Sequence, residues 1–255
     1  MWWFSQKPSL YRDWSTDQAI LPEISFSWSE VFIKNIRNFR YTSTDNYEAS
    51  YYDQVYNKNE IERVYYIVEP FSTMDGPAHT MFSFSFSGGK DIAVSTEIRK
   101  EKGESFDPFL WMMNQYEIVN MVWDEKDLIK LRTNYRKDAV YMYPIKAEKE
   151  DIQDLFISLM KRTDKLRREP EFYNTLWNSC STGILGHVNA LRKEKIWWSR
   201  DILLPAHSDK IAYDLGLIDT KLSYEEARKY YQINELAEKY ADRKDFSEKI
   251  RKEIK

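Results

Sequence analysis

The sequence contains few of the residues that cross-link a polypeptide or bind metals. Among its 255 residues there is one cysteine, Cys180, and there are three histidines. A single cysteine excludes an intramolecular disulfide, and these four side chains are too few for a convincing structural zinc site. No stretch of 18 apolar residues occurs, so the sequence offers no candidate transmembrane helix. We therefore expect a fold held together by its core, with no metal and no cofactor.

Positive charge is also not in excess. The 38 basic residues are outnumbered by 41 acidic ones, which gives a net charge of −3. Nucleic-acid binding requires a basic surface, so we expect no nucleic-acid partner. The first ten residues show neither the basic nor the apolar segment of a signal peptide. We expect either a cytosolic protein or a missing upstream segment.

Aromatic residues are what the sequence has in abundance, at 16% of the chain. No internal repeat and no Gly/Ser-rich linker interrupts it. We expect one α+β domain over residues 1–234, in which an antiparallel sheet packs against helices. An aromatic-rich segment precedes this core, helices follow it, and residues 235–255 form a charged helical tail.

Periodicity predicts several elements. Alternation over residues 25–36 predicts strands. Apolar residues at helical spacing predict a helix over residues 150–169, which Pro170 ends. Ser223 and Glu226 have the spacing of a capping box.

The capping-box pattern predicts the start of a long polar C-terminal helix, with fraying beyond Tyr240. The apolar run over residues 109–121 predicts a further helix. Residues 128–132 and 139–143 have the composition of strands.

The clearest hairpin covers residues 79–99. Apolar residues occupy the even positions of both strands, on either side of Ser87-Gly88-Gly89. Because a one-residue slip would turn one apolar set to the wrong face, even positions must pair with even positions. A three-residue loop then places Glu97 directly opposite His79, on the polar face. If the loop is instead Gly88 to Lys90, Glu97 is a diagonal neighbour of His79.

Cys180 follows polar residues and precedes an apolar helical pattern. The run Asn178-Ser179-Cys180 therefore predicts that the cysteine lies in the first turn of a helix. The helix dipole favours a thiolate there, and thiolate is the nucleophilic form. The alternative is a buried, inert cysteine.

A nucleophilic cysteine needs a base. His187 is seven residues further along the same predicted helix, about 10.5 Å of rise, which is too far for a hydrogen bond. His207 is expected at the surface. His79, with Glu97 as its orienting carboxylate, has the geometry that a triad requires.

Several segments resemble one bacterial family, the Lnb-type N-terminal periplasmic domain named after the lipoprotein N-acyltransferase of Bacteroides. The resemblance runs from about Trp2 to Asn234. The segments that carry it are Arg12-Asp-Trp14, Ile36-Arg-Asn-Phe-Arg-Tyr41, Glu69-Pro-Phe71, Ala78-His-Thr-Met-Phe-Ser-Phe84, Ser95-Thr-Glu-Ile-Arg-Lys-Glu-Lys-Gly-Glu-Ser105, Leu131-Arg-Thr-Asn-Tyr-Arg136, Glu171-Phe-Tyr-Asn-Thr175, Asn178-Ser-Cys180 and Ala212-Tyr-Asp-Leu-Gly-Leu-Ile-Asp219.

The family resembles circularly permuted NlpC/P60 (papain-like) folds, in which a His-bearing strand precedes the Cys-bearing helix. This implies Cys180 as nucleophile, His79 as base and Glu97 as third group. The family's Asn-Asn-Cys or Asn-Cys pattern is Asn178-Ser179-Cys180 here, so Asn178 is an oxyanion-hole or positioning candidate, together with Ser179.

Two further residues are candidates for substrate contact. Arg132 and Tyr135 lie in one of the family segments, and an arginine there suits a phosphate or a carboxylate. A structural ion pair is an equal alternative for Arg132. Trp197 and Trp198, beside basic residues, are candidates for a membrane interface.

Three functions stay open. The resemblance implies a cysteine acyltransferase that takes an acyl chain from phospholipid and passes it to an amine such as a lipoprotein N-terminus. A papain-like peptidase or amidase of the cell envelope, in which water resolves the intermediate, is the first alternative. A non-catalytic binding module is the second. The resemblance also implies a periplasmic location, tethered to the inner membrane by segments outside this chain, and the oligomeric state stays open.

Overall fold

A large sheet forms the centre of the protein. The computed structural model describes residues 7–71, 76–104, 116–174, 178–191 and 205–252. Within these ranges the sheet has nine strands, with helices packed on both of its faces. The mixed α+β class expected from the sequence is therefore confirmed.

The strands lie mainly in the first 60% of the chain. Their bounds are β1 Glu23–Ser27, β2 Glu30–Arg37, β3 Arg40–Tyr41, β4 Tyr47–Glu48, β5 Tyr51–Asn57, β6 Ile61–Pro70, β7 Ala78–Phe86, β8 Ile92–Arg99, β9 Glu117–Asp124, β10 Tyr141–Pro144 and β11 Glu171–Phe172. The order across the sheet is β1-β2-β9-β8-β7-β6-β10, with β5 paired to β2 and β11 paired to β9. All these pairs are antiparallel except β2 with β9. Strands β3 and β4 pair separately.

The helices come mainly in the second half. Their bounds are α1 Glu125–Lys130, continued by a π-helix at Leu131–Arg136, α2 Lys149–Arg168, α3 Cys180–Leu191, α4 Ser208–Asp214, α5 Tyr224–Tyr230, α6 Asn234–Lys239 and α7 Phe246–Ile250. Short 3₁₀ turns occupy Lys58–Glu60 and Pro205–His207. Within the described ranges, no helix is both long and apolar enough to cross a bilayer.

Both faces of the sheet are buried. The face that carries Phe82, which we call the Phe82 face, packs against α2, where Phe84 and Phe86 contact the ring of Phe156 at 5.2 and 5.4 Å. The opposite face, which we call the His79 face, holds a second core that includes Met81. Helices α1, α6 and α7 cover this second core. The odd positions of the hairpin were expected to be a polar face, and the covering helices explain why they are buried instead.

Several predicted elements are confirmed. Strands β1 and β2 lie within or next to residues 25–36, and α2 matches the helix expected over residues 150–169. Helix α3 begins at Cys180, as its polar flank predicted. Ser223 and Glu226 form the capping box of α5.

Other predictions were wrong. Residues 117–121 belong to strand β9, while the rest of that expected helix, residues 109–115, lies outside the described residues. Residues 128–132 are helical and not a strand, because Asp124 caps α1 by accepting a hydrogen bond from the Lys126 N–H. The expected long C-terminal helix is three short ones, α5, α6 and α7.

The C-terminal residues pack against the second core instead of fraying. Phe246 and Ile250 of α7 are 1% and 0% exposed. Arg251 forms ion pairs with Glu125 at 2.9 Å and with Asp91 at 3.2 Å. These contacts join the end of the chain to α1 and to the start of β8.

We predict that Phe246→Ala lowers the free energy of unfolding by about 3–5 kcal/mol, because it removes a fully buried ring. Lys244→Ala, at an exposed position two residues earlier, is the matched control and should change stability by less than about 0.5 kcal/mol. Urea denaturation followed by circular dichroism measures both. Equal effects of the two changes would mean that the C-terminal segment is not part of the folded core.

Candidate active site

The hairpin of β7 and β8 brings His79 and Glu97 together. Its register pairs Met81 with Ser95, and two residues further along the same register His79 faces Glu97. Oε2 of Glu97 lies 3.9 Å from Nδ1 of His79. This separation is longer than a hydrogen bond, and it is an ion pair when the imidazole is protonated.

The turn between the two strands explains this register. Residues 87–91 connect the two strands, and residues 87–89 form the three-residue loop at the turn, where the N–H of Gly89 donates to the carbonyl of Phe86 at 3.2 Å. Gly88 and Gly89 have φ angles of +79° and +72°, which side chains with a Cβ rarely adopt. The two glycines therefore permit the three-residue loop that places His79 and Glu97 opposite each other.

A second carboxylate and a buried cation complete the cluster. Glu69 of β6 is the register partner of His79 on its other side. Nε of Arg132 donates to Glu69 at 2.6 Å, and its Nη2 donates to Glu97 at 3.3 Å. Arg132 is 1% exposed, so its guanidinium is buried beside the neighbouring residues Glu69, His79 and Glu97 of the three strands.

The charges around His79 act on its pKa in opposite directions. Burial lowers the pKa of His79, and Glu97 and Glu69 raise it only enough to compensate in part. Burial alone would raise the pKa of Glu97, but His79, Arg132 and a hydrogen bond from Ser95 outweigh it and hold that pKa below its usual value. At neutral pH the site therefore holds a neutral imidazole beside a carboxylate.

The lowered pKa of His79 also has a consequence for stability. The unfolded chain binds a proton at His79 near pH 6.5, whereas the folded protein binds it at lower pH. Protonation therefore favours unfolding as the pH falls below about 6.5, and His79 contributes stability above that pH. The imidazole remains reachable, because its side chain is 22% exposed. The ring of Phe71 packs edge-on against it at 4.9 Å.

The start of α3 is fixed by two residues. Thr182 N–H donates to Oγ of Ser179 at 3.3 Å, and Ser179 N–H donates to Oγ1 of Thr182 at 2.8 Å. Ser179 is thus the N-cap, and Cys180 is the first residue of the helix. The structure does not describe the side chain of Cys180, so its pairing with His79 stays a prediction.

Asn178 anchors the segment before Cys180. Its Nδ2 group donates to Glu171 at 3.1 Å and to the carbonyl of Phe172 at 2.9 Å, and its Oδ1 accepts from Arg162 at 3.0 Å. Arg162 also binds both carboxylate oxygens of Glu171, at 2.7 and 2.6 Å, and the pKa of Glu171 is lowered to about 2 by this pairing. Both N–H bonds of the Asn178 side-chain amide are therefore used in hydrogen bonds within the protein. This favours a role for Asn178 in positioning the segment over a role as oxyanion donor.

The hydrogen bonds of Asn178 to Glu171 and Phe172 also determine where along the strands α3 begins. Glu171 pairs with Ile118 of β9, and Ile118 in turn pairs with Ile98 of β8, next to Glu97. Helix α3 also packs against β7 and β8 themselves. Its first residue is therefore at the end of the sheet that carries His79 and Glu97.

The helix and the imidazole nevertheless belong to different faces. Ile184 and Val188 of α3 pack against the core of the Phe82 face. His79 points to the opposite face, because side chains alternate along a strand. The side chains of Cys180 and His79 can therefore meet only at the end of the sheet, next to the first residue of β7.

Arg132 and Tyr135 were expected to contact substrate, and the structure gives both of them partners within the protein. Arg132 is buried in ion pairs with Glu69 and Glu97, which favours the structural alternative over contact with substrate. The hydroxyl of Tyr135 donates to the carbonyl of Tyr41 at 2.7 Å, and no contact with His79 is found for it in the described structure. Trp197 and Trp198 lie outside the described residues.

Sequence reasoning missed Glu69. It is a lone carboxylate at the end of the buried run Val64–Val68, and a charge in such a place needs a buried partner. That signal was available, but it did not name Arg132 as the partner. Among the described residues, no group of three or more His, Cys, Asp or Glu side chains is arranged to hold a metal ion.

Comparison with known protein families gives one match. The family model described as the Lnb N-terminal periplasmic domain matches residues 47–208, more than half of the chain. The chain belongs to this family. The match covers His79, Glu97 and Cys180, and confirms the family that the sequence motifs indicated. Membership supports a periplasmic location. Neither the curated proteins nor the solved structures give a significant match.

We predict that Glu97→Gln lowers the pKa of His79 further. The change removes a negative charge 3.9 Å from Nδ1, and this charge favours the protonated imidazole. An NMR titration of the His79 ring protons measures the pKa. Glu62→Gln, at an exposed position of β6, is the control and should leave the titration unchanged. An unchanged His79 titration in Glu97→Gln would show that the two side chains do not interact in solution.

Proposed function

We propose that this protein is a cysteine-dependent acyltransferase of the bacterial envelope, with Cys180 as nucleophile, His79 as base and Glu97 as the group that orients it. The observation that carries the proposal is positional. Helix α3 starts with Cys180 at the end of the sheet where His79 contacts Glu97. Family membership supports the envelope location, and the acyl chemistry is what the resemblance of the sequence motifs implies.

The reaction begins with proton transfer from the Cys180 thiol to the neutral imidazole of His79. The thiolate attacks the ester carbonyl of a phospholipid, forming the carbon–sulfur bond. As the tetrahedral intermediate collapses, the ester C–O bond breaks, and the leaving alkoxide takes the proton from His79. A neutral amine, such as a lipoprotein N-terminus, then attacks the thioester carbonyl and gives a proton to the imidazole as the C–N bond forms. The C–S bond breaks, and the released thiolate of Cys180 takes that proton back from His79.

The intermediate in each step carries an oxyanion, and the start of α3 supplies donors. The first N–H groups of any helix have no carbonyl partner inside it. Here the N–H groups of Ser179 and Thr182 are used by the cap. The backbone N–H groups of residues 180 and 181 are therefore the donors that we assign to the oxyanion.

The same assignment extends to the fold and the setting. We infer that the sheet and α3 correspond to a circularly permuted NlpC/P60-like, papain-like arrangement, because the His-bearing strand precedes the Cys-bearing helix. The substrates, phospholipid and lipoprotein, are membrane-associated. We therefore infer that the domain works at the periplasmic side of the inner membrane, tethered by segments outside this chain.

We predict that iodoacetamide labels Cys180 at pH 5.5 and that His79→Ala slows this labelling about tenfold or more, because a thiol without a basic partner is protonated there. Cys180 is the only thiol of the chain, so the labelled site is unambiguous. His207→Ala, at an exposed position, is the matched control. Equal rates in wild type and His79→Ala would remove His79 from the mechanism.

We also predict a fatty-acyl thioester on Cys180. Protein exported to the periplasm of a Gram-negative host should show, by intact-mass spectrometry, an acyl adduct that neutral hydroxylamine removes and that Cys180→Ser lacks. Incubation with phospholipid vesicles and a diacylated lipopeptide should then give N-acylated peptide. Peptide cleavage without acylation would replace the proposal with the peptidase, and the absence of both products from a membrane-tethered form would favour a binding module.

A further inference from the structure

We propose that the Phe82 face carries a binding pocket for a fatty-acyl chain. The pocket has a volume of about 210 Å³. For comparison, an engineered apolar cavity of about 150 Å³ takes up benzene. The space is therefore large enough for an aliphatic segment longer than a single ring.

The lining of the pocket selects hydrocarbon. Val64, Tyr66 and Phe82 of β6 and β7 form one side of it. Helices α2, α3 and α4 form the other sides, through residues such as Leu155 and Ile211, together with residues 145–147 after β10 and the segment after α4. Apolar groups gain most from burial against such a surface.

The polar side chains of the lining do not offer peptide-like partners. The hydroxyl of Tyr66 donates to Oγ of Ser208 at 2.7 Å, and Ser208 donates to the carbonyl of Pro205 at 2.5 Å. A peptide in this space would bury amide groups without hydrogen bonds, at a substantial cost. A fatty-acyl chain has no such groups, so it is the ligand class that the pocket fits.

The rim is different from the interior. Lys146 and Asp151 line the pocket and are exposed. One cation and one carboxylate do not favour a head group of either sign. We therefore assign the pocket to the chain and not to the head group, which stays in solvent or in the membrane.

The position of the pocket links it to Cys180. Ile184, Leu185 and Val188 line it, and they belong to the helix that Cys180 begins. They are one to two turns after Cys180, about 6–12 Å along the helix axis. This part of the inference rests on the proposed function, since it makes the pocket the place where the chain of the acyl-enzyme lies. The binding of the chain itself does not depend on the thiol.

The experiment is an NMR titration of methyl-labelled protein with octanoate, laurate and palmitate, each below its micelle concentration. We expect chemical-shift changes for the methyl groups of Leu155, Ile184 and Val188. The methyl groups of Ile33 and Leu128, which lie outside the pocket, should not change. Affinity should rise about fourfold for each added methylene until the pocket is full. Cys180→Ser should bind as wild type does.

Two matched variants locate the binding. Val64→Phe places a ring in the pocket and should weaken laurate binding by about tenfold or more. Val55→Phe makes the same change at a 40%-exposed site on β5 and should have no effect. Shifts spread over the whole protein, or equal affinities of the two variants, would overturn the proposal.

The acyltransferase proposal and the acyl-pocket proposal can be contradicted independently of each other. If Cys180 forms its thioester but no fatty acid shifts the pocket methyls, the acyl pocket is wrong and the transferase stands. If laurate binds at the pocket but no thioester forms on Cys180, the pocket stands as a lipid-binding site and the transferase is wrong.

Discussion

The guanidinium of Arg132 is buried between Glu69 of β6 and Glu97 of β8, the two strands that flank β7. A buried cation is tolerated only when it is paired, and here each carboxylate also needs the cation. The third donor of the arginine is satisfied by the carbonyl of Leu128, one turn earlier at 3.1 Å. This pairing attaches the π-helix to the sheet. It also fixes the carboxylates on either side of His79, so the orientation of the imidazole depends on it.

Local sequence signals predicted the parts of the fold that local interactions determine. The register of β7 and β8 followed from apolar alternation and from Gly88 and Gly89, which are close in the chain. Residues 117–121 of β9 were mistaken for helix because this strand is buried on both faces, so its sequence lacks the period-two alternation of a half-exposed strand. Helix α1 was mistaken for a strand because its apolar residues are few, although its cap, Asp124, was visible in the sequence.

The same distinction holds for the site. His79 and Glu97 are partners within one hairpin, and their proximity followed from the register. Glu69 and Arg132 are 63 residues apart, and only the packing of the π-helix on the sheet brings them together. The engagement of Asn178 likewise depends on Arg162, which belongs to the preceding long helix. No pattern within one element contains such pairings, so sequence reasoning named the candidate residues His79 and Glu97 more readily than the residues that bind them.

The sheet itself sets the geometry of the proposed reaction. The imidazole lies on the His79 face, while the apolar pocket and the middle of α3 lie on the Phe82 face. A β-sheet is hydrogen-bonded from strand to strand, so no acyl chain passes through it. On the two proposals together, the reacting carbonyl must lie at the end of the sheet that carries His79 and Glu97, next to the start of β7. The acyl chain then extends along the Phe82 face, while the proton is transferred on the His79 face. The start of α3, which Asn178 anchors, lies between these two places.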